Sequence, residues 1–213
     1  MVTSEPAPAP EPHDRLGAAL RALADATVRS GADPQELAAA AERLEHLTAR
    51  LAAAPVAERV HDSPYHPMSL VGGTAHPVAP QLRVSASTEG VAGTVVLGPS
   101  YEGGPGLVHG GILSLIFDHV MGQAVFSAGY SAMTVSLEVR YRAPTPLEVP
   151  LAVSAEVERR DGRKIFVRAR VRVDGAVTAE AGGVFVQLTA DNVARIFPAD
   201  RVPPEPPPEP PSA

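Results

Sequence analysis

The sequence predicts an α+β domain in which an antiparallel six-stranded sheet wraps around one central helix, with a helical hairpin in front. Three observations lead to this class. Strand-like alternation fills most of residues 82–190, and the junctions between strands are short except at one place, which an apolar helix occupies. Because this helix has no continuous polar stripe, we expect the sheet to bury it.

The chain of 213 residues opens and closes with proline-rich segments, which we assign to tails at residues 1–13 and 191–213. Such a composition favours extended, solvated backbone that buries no core. Between the first tail and the sheet, we assign residues 14–55 to the helical hairpin. Residues 56–81 contain many turn formers and are predicted to form an irregular linker.

The second helix of the hairpin has the stronger start signal, with Asp33 as the N-cap, Pro34 at the first helical position and Glu36 closing a capping box. A heptad-like seam follows at positions 37, 40, 44, 47 and 51. Two heptads are too few for a free coiled coil, so we expect the hairpin to pack on itself, on the main domain or on a sister chain. Residues 1–60 contain no candidate catalytic group, and we expect them to be dispensable for chemistry.

The remaining elements follow in the order of two strands, one helix and four strands. The first two strands flank Glu89-Gly90, a hairpin signal, and the helix covers about residues 111–127. Asp161-Gly162 and Asp174-Gly175 provide turn signals between the last three strands. We assign the whole of residues 82–190 to one domain.

Composition excludes several classes of function. A net charge of −6 without a dense basic run argues against nucleic acid as a partner. The absence of cysteine rules out disulfides and thiolate metal sites. We expect no metal and no cofactor, since no metal-ligand cluster, P-loop or dinucleotide fingerprint occurs. We also expect a cytoplasmic location, because there is no signal peptide pattern and no run long enough to span a membrane.

The stretch "GGPGLVHGGILSLIFDHVMGQA", residues 103–124, contains the candidate chemistry. Asp118 stands inside the apolar helix and shares a face with Ser114 and two glycines. A buried carboxylate is costly unless it is paired, so Asp118 is either an internal tie or a functional group. His109 and two glycines stand at the helix start, where unpaired N–H groups can stabilise an oxyanion or bind a phosphate.

This combination resembles the hotdog-fold acyl-CoA thioesterases. The resemblance rests on "HGG", the aspartate nine residues after the histidine and the following strand "MTVSLEVRYRAPTP". It is nearest to the phenylacetate-pathway type, and "YEGGPGLVHGG" with "GGVFVQL" looks like the human thioesterase superfamily members four and five. The resemblance covers residues 82–189. It implies a hotdog fold and hydrolysis of an acyl thioester to a free acid and a thiol.

The same resemblance implies roles for four residues. Asp118 matches the catalytic carboxylate, as general base or nucleophile, and the backbone N–H of Gly110 matches the group that polarises the carbonyl. His109 matches the histidine that supports this loop, and Thr134 falls where a serine or threonine orients water. Gly103 departs from the asparagine of some relatives, which leaves polar assistance from Glu102 open.

Further contacts to the substrate are predicted around these residues. Gly111 permits close approach of a ligand, and the cations of the hairpin tip, Arg160, Arg163 and Lys164, either meet the phosphates of coenzyme A or form an ordinary charged turn. The resemblance places the site at a dimer interface, so a homodimer or a homotetramer is expected. The thioester donor can be coenzyme A or an acyl-carrier protein.

Two other functions stay open. A hotdog-fold dehydratase or hydratase would act on acyl thioesters with a histidine and an acid, for which His109 and Asp118 are available. A non-catalytic scaffold that binds acyl-CoA would account for the helical hairpin and the tails. The length of the acyl chain does not follow from the sequence.

Overall fold

A computed structural model gives the structure of residues 11–54, 66–87 and 90–196. The fold class is confirmed, since a six-stranded antiparallel sheet surrounds one helix and two helices precede it. The proline-rich stretches at 1–10 and 197–213 lie outside the described residues, as do part of the linker and Glu89 of the first hairpin signal.

The sheet has the order β1-β2-β4-β5-β6-β3, and every neighbouring pair is antiparallel. Its two edges are therefore β1 and β3. The strands are β1 (Arg83–Ser87), β2 (Gly90–Val96), β3 (Ala132–Tyr141), β4 (Pro150–Asp161), β5 (Lys164–Val173) and β6 (Ala176–Gln187).

Central helix α3 (Gly110–Ser127) contacts all six strands and forms the middle of the core. Its apolar side chains point in nearly every direction, which is why the curled sheet can cover it on most sides. The largest fully buried side chains come from the helix, the strands around it and the residues next to the ends of β1 and β2: Phe117, Phe185, Leu82, Leu97, Leu113, Ile116, Met121, Leu151 and Ile165. The core thus fixes the position of α3 and, with it, the direction of the side chains on its remaining face.

The two predicted hairpin turns are both present, one of them shifted by a residue. Asp174 and Gly175 form the turn between β5 and β6, with φ angles of 49° and 83°. Such angles belong to the tight turns that match strand twist. Asp161 instead pairs with Lys164 as part of the ladder, so the first turn consists of residues 162 and 163.

Helix α1 (Pro12–Val28) packs on the main domain, and α2 (Pro34–Ala52) projects from it. The predicted cap of α2 is confirmed, since Asp33 accepts hydrogen bonds of 2.9 Å from the amides of Gln35 and Glu36. Within residues 34–52 no side chain is buried, so the leucine seam is exposed in the single chain. Packing of this seam on a sister chain stays a prediction.

The structure differs from the sequence analysis at the C-terminal boundary. The tail is predicted to start at residue 191, but a short helix, α4, occupies Ala190–Ile196. One turn or two of helix next to a proline-rich stretch carry too little hydrophobic periodicity to be recognised.

Candidate active site

Asp118 and Thr134 are brought together by the packing of α3 against the edge strand β3. The hydroxyl Oγ1 of Thr134 donates a hydrogen bond of 2.8 Å to Oδ1 of Asp118. Both residues are exposed in the single chain. The expectation that the Asp118 carboxylate is buried is therefore wrong for the single chain. The reason is that β3 ends the sheet, and among the residues that the structure describes no further strand covers the helix face beyond it.

A bulge in β3 decides which way Thr134 points. Thr134 pairs with Phe185 and Ser136 pairs with Val184, so Val135 is an extra residue without its own ladder partner. Leu137 and Tyr141 lie opposite residues that face α3, and strict alternation from them would turn Thr134 to the outer face. The extra residue reverses the phase, which aims the Thr134 hydroxyl at the helix.

The loop before α3 is fixed by its own histidine. His109 is the N-cap of the helix, and its Nδ1 accepts a hydrogen bond of 3.0 Å from the amide of Gly111. The amide of His109 donates to the carbonyl of Tyr101 at 2.9 Å. The Gly111 amide is used by this hydrogen bond. The amide of Gly110, in the same first turn, points out of the N-terminal end of the helix.

Two residues that the sequence analysis does not assign complete this end of the helix. The Tyr141 hydroxyl donates to the Gly110 carbonyl at 2.9 Å, and the Ser114 hydroxyl lies 3.2 Å from Tyr141 Oη and donates to the same carbonyl at 3.1 Å. A Cβ atom on Gly110 would lie 2.9 Å from Tyr141 Oη, so the glycine allows the tyrosine to approach. Tyr141 lies on the same face of β3 as Leu137, and this alternation is the sequence pattern that could have indicated its position next to α3.

Glu102 makes a hydrogen bond inside the loop that precedes α3. Its Oε1 accepts a hydrogen bond of 2.6 Å from the amide of Gly106 and thereby closes the loop in front of His109. The neighbouring Gly103 is tightly placed, since a Cβ there would lie 2.7 Å from the Cα of His109. An asparagine at residue 103 would force this loop to move, which gives a physical reason for the departure from the family pattern.

The predicted cations lie at the hairpin tip between β4 and β5. The guanidinium of Arg160 donates to the carbonyl of Gly162 and to Oε1 of Gln187, both at 2.9 Å, and Arg163 donates to the Gln187 carbonyl at 3.0 Å. Lys164 is exposed and lies opposite Val186, which in turn lies opposite Met133 on β3. Two strand spacings, about 10 Å, therefore separate Lys164 from the start of the edge strand.

His119, which follows Asp118 on α3, has a different electrostatic environment. Burial lowers the pKa of His119, and the negative charge of Asp118 partly opposes this shift. His119 lies near the loop at Gly72, where an added Cβ would be 3.9 Å from Nε2. One turn later, Gln123 is buried. Burial thus favours a neutral imidazole at His119, one residue beyond the exposed carboxylate of Asp118.

The predicted catalytic residues form two groups along α3, each completed by a side chain of β3. Asp118 and Thr134 form one group, and His109, Gly110 and Gly111 form the other, together with Ser114 and Tyr141. Asp118 lies eight residues beyond Gly110, which is about 12 Å along a helix. The two groups therefore lie at separate points along α3.

Comparisons with known proteins agree with this fold. The family model described as the thioesterase superfamily matches residues 105–180. A crystal structure of a thioesterase superfamily protein is 36% identical in sequence, covers 84% of this chain and 93% of its own chain, and superposes with a TM-score of 0.77. The chain belongs to the thioesterase superfamily.

Curated relatives match a shorter part of this thioesterase superfamily member. Acyl-coenzyme A thioesterase THEM4 of Xenopus laevis is 36% identical over 94 residues, which are 43% of this chain and 42% of the relative. Acyl-coenzyme A thioesterase THEM5 of Homo sapiens is 31% identical over 93 residues, 43% of this chain and 38% of the relative. The chain thus spans about two fifths of the length of these curated relatives.

The described part of the chain contains neither a cluster of metal-ligating side chains nor a membrane-crossing helix. Among residues 11–54, 66–87 and 90–196, no group of three or more histidine and carboxylate side chains is placed to hold a metal ion. No helix in these same ranges combines the length and the apolar character needed to cross a bilayer.

Proposed function

We propose that this protein is an acyl-CoA thioesterase that hydrolyses an acyl thioester to a free acid and a thiol. The observation that carries the proposal is the 2.8 Å hydrogen bond from Thr134 to an exposed helix carboxylate, Asp118, in a member of the thioesterase superfamily. The curated relatives are acyl-coenzyme A thioesterases, which supports the choice of substrate class.

The chemistry requires a base for water and donors for the developing oxyanion. Asp118 acts as general base on a water molecule that Thr134 helps to orient, or attacks the carbonyl directly as nucleophile. The amide of Gly110 polarises the thioester carbonyl and stabilises the tetrahedral oxyanion. His109 holds the loop that presents this amide, through its cap on Gly111.

We further propose that the two groups of the site meet across a dimer. Strand β3 is a ten-residue edge strand, and it exposes Val135 to 60% and Met133 to 43%. An unpaired edge of this length with apolar side chains invites pairing with another chain. A second copy on this edge would cover Asp118 and supply the Gly110 amide that the first chain cannot bring to it. We therefore expect a homodimer at least, and a stable monomer in light scattering at micromolar concentration would contradict this.

The activity is tested with a panel of acyl-CoA thioesters and detection of the free thiol. We expect hydrolysis by the wild-type chain and almost none by Asp118→Asn, which keeps the shape of the side chain and removes the base. A dehydratase or hydratase would change the acyl group without releasing thiol. Binding of acyl-CoA without turnover would indicate a scaffold.

Mixed dimers test the shared site. Co-expression of differently tagged Asp118→Asn and His109→Ala chains allows the heterodimer to be isolated, and one of its two sites then has neither substitution. Pairing Asp118→Asn with Thr134→Ala leaves one lesion in every site, provided that each variant is strongly impaired alone. We expect activity to return in the first mixture only, and any other pattern contradicts the assignment.

The hairpin tip is the proposed contact for the phosphates of coenzyme A. Of the three cations, Lys164 has the least constrained side chain, because Arg160 and Arg163 both bind Gln187. Lys164→Gln should raise KM for an acyl-CoA and leave KM for the matching acyl-pantetheine, which lacks the nucleotide phosphates, unchanged. An equal effect on both substrates would indicate that the tip is an ordinary charged turn that does not contact these phosphates.

A further inference from the structure

Helix α1 is fastened to the main domain along its length. Near its start, Asp14 accepts a hydrogen bond of 2.6 Å from Thr74 Oγ1, and Gly17 is so close to Ala75 that an added Cβ would lie 2.6 Å from that carbonyl oxygen. Near its end, Asp25 reaches residues 98–100. This helix is therefore part of the domain surface, and it contacts residues 74–76 from its start and middle and residues 98–100 near its end.

Asp25 caps the 3₁₀ turn Pro99–Tyr101 from outside. Its Oδ1 accepts a hydrogen bond of 2.9 Å from the amide of Ser100. The N-cap of the turn is Gly98, which has no side chain to make such a bond. A Cβ on Gly98 would lie 2.5 Å from Asp25 Oδ2, so the carboxylate occupies the space of a capping side chain.

The capped turn is connected directly to the loop that carries Gly110. The carbonyl of Tyr101, the last residue of the turn, accepts the hydrogen bond from the amide of His109 at 2.9 Å. The Tyr101 hydroxyl donates to the carbonyl of Val78 at 3.1 Å. Burial raises the pKa of Tyr101, and the negative charge of Asp25 raises it further, so the phenol keeps the proton that it donates.

We propose that Asp25 is a positioning residue for the thioesterase reaction. By holding the turn Pro99–Tyr101, it sets the position of His109 and hence the direction of the Gly110 amide. The inference rests on the proposed function, because the direction of this amide matters for catalysis only if Gly110 polarises a thioester carbonyl. It also gives the N-terminal region a role in the chemistry, contrary to the expectation that residues 1–60 are dispensable.

Three variants of the full chain test the proposal. Asp25→Ala removes the acceptor, Asp25→Asn keeps an oxygen at the same place, and Asp14→Ala loosens the same helix at its far end. Two measurements are made on each, namely hydrogen exchange of the amides in residues 99–111 and the separate values of kcat and KM. Small misplacements of catalytic groups can cost about 100-fold in rate.

We expect Asp25→Ala to speed exchange in residues 99–111 and to lower kcat by about 10-fold or more, with KM nearly unchanged. Asp25→Asn should restore most of both quantities, and Asp14→Ala should change neither. Unchanged exchange in Asp25→Ala, or equal effects of Asp25→Ala and Asp14→Ala, would overturn the proposal. If the wild-type chain hydrolyses no thioester, the exchange data still decide whether Asp25 positions the loop, and the proposed function alone fails.

Discussion

Replacing Thr134 by valine is the most direct test of the Asp118 environment. Valine keeps the branched shape that suits a strand and removes only the hydroxyl. The lost hydrogen bond is 2.8 Å long and ends on a carboxylate. Hydrogen bonds to charged groups contribute about 1.5–3 kcal/mol, and exposure of the pair in the single chain favours the lower half of this range. At about 1.4 kcal/mol per factor of ten, kcat should fall about 10-fold to 40-fold.

The assay is steady-state thiol release, extended to a double-mutant cycle with Asp118→Asn. Removal of a general base costs about 100-fold to 10,000-fold. If Thr134 acts through Asp118, then Thr134→Val should add little once the carboxylate is gone. Ser136→Ala is the matched control, since it removes a hydroxyl from the outer face of the same strand. The same loss from Thr134→Val in both backgrounds, with unaltered melting temperature, would refute the coupling.

Three further predictions concern stability. Gly183→Ala should lower the free energy of unfolding, measured in urea, by about 1–3 kcal/mol, because its Cβ would lie 2.6 Å from Met121 Sδ. The adjacent Gly182→Ala has open space and should be neutral or stabilising. Equal effects of the two substitutions would contradict this. Tyr141→Phe should cost about 0.5–1.5 kcal/mol in the same assay, and an unchanged midpoint would argue against its hydrogen bonds. Because burial lowers the pKa of His119, the unfolded chain binds this proton first as pH falls below about 6.5. The melting temperature should therefore drop between pH 7 and 5, less steeply in His119→Gln, and parallel curves would exclude His119 as the cause.

The sequence predicted the elements because most of them have strong local signals. The cap at Asp33 and the turn at Asp174 depend on side chains next to them in the chain, and both were found as expected. The apolar character of α3 predicted its central place correctly. These features need no knowledge of what lies far away in the sequence.

Other features depend on contacts between distant segments and left no local signal. Asp25 reads as an ordinary polar residue on a helix, and only the docking of α1 shows that it caps a turn 75 residues away. Asp118 was expected to be buried because its helix is apolar all round. The position of β3 at the sheet edge, which pairing across the whole sheet determines, makes it exposed instead.

The bulge at Val135 divides β3 into two parts whose orientations are set independently. Residues 136–141 keep their alignment with β6 whether or not the extra residue is present, and Thr134 stays opposite Phe185 when residue 135 is deleted. A one-residue deletion at 135 would therefore straighten the strand and leave the Thr134 hydroxyl on the inner face. In a related chain without the bulge, an alignment extended without a gap from the C-terminal half of the strand would place the residue equivalent to Thr134 opposite Val135 and assign the wrong residue to the site. Counting residues between the strand and the helix carboxylate is thus a better guide to function in related chains than the similarity of the strand itself.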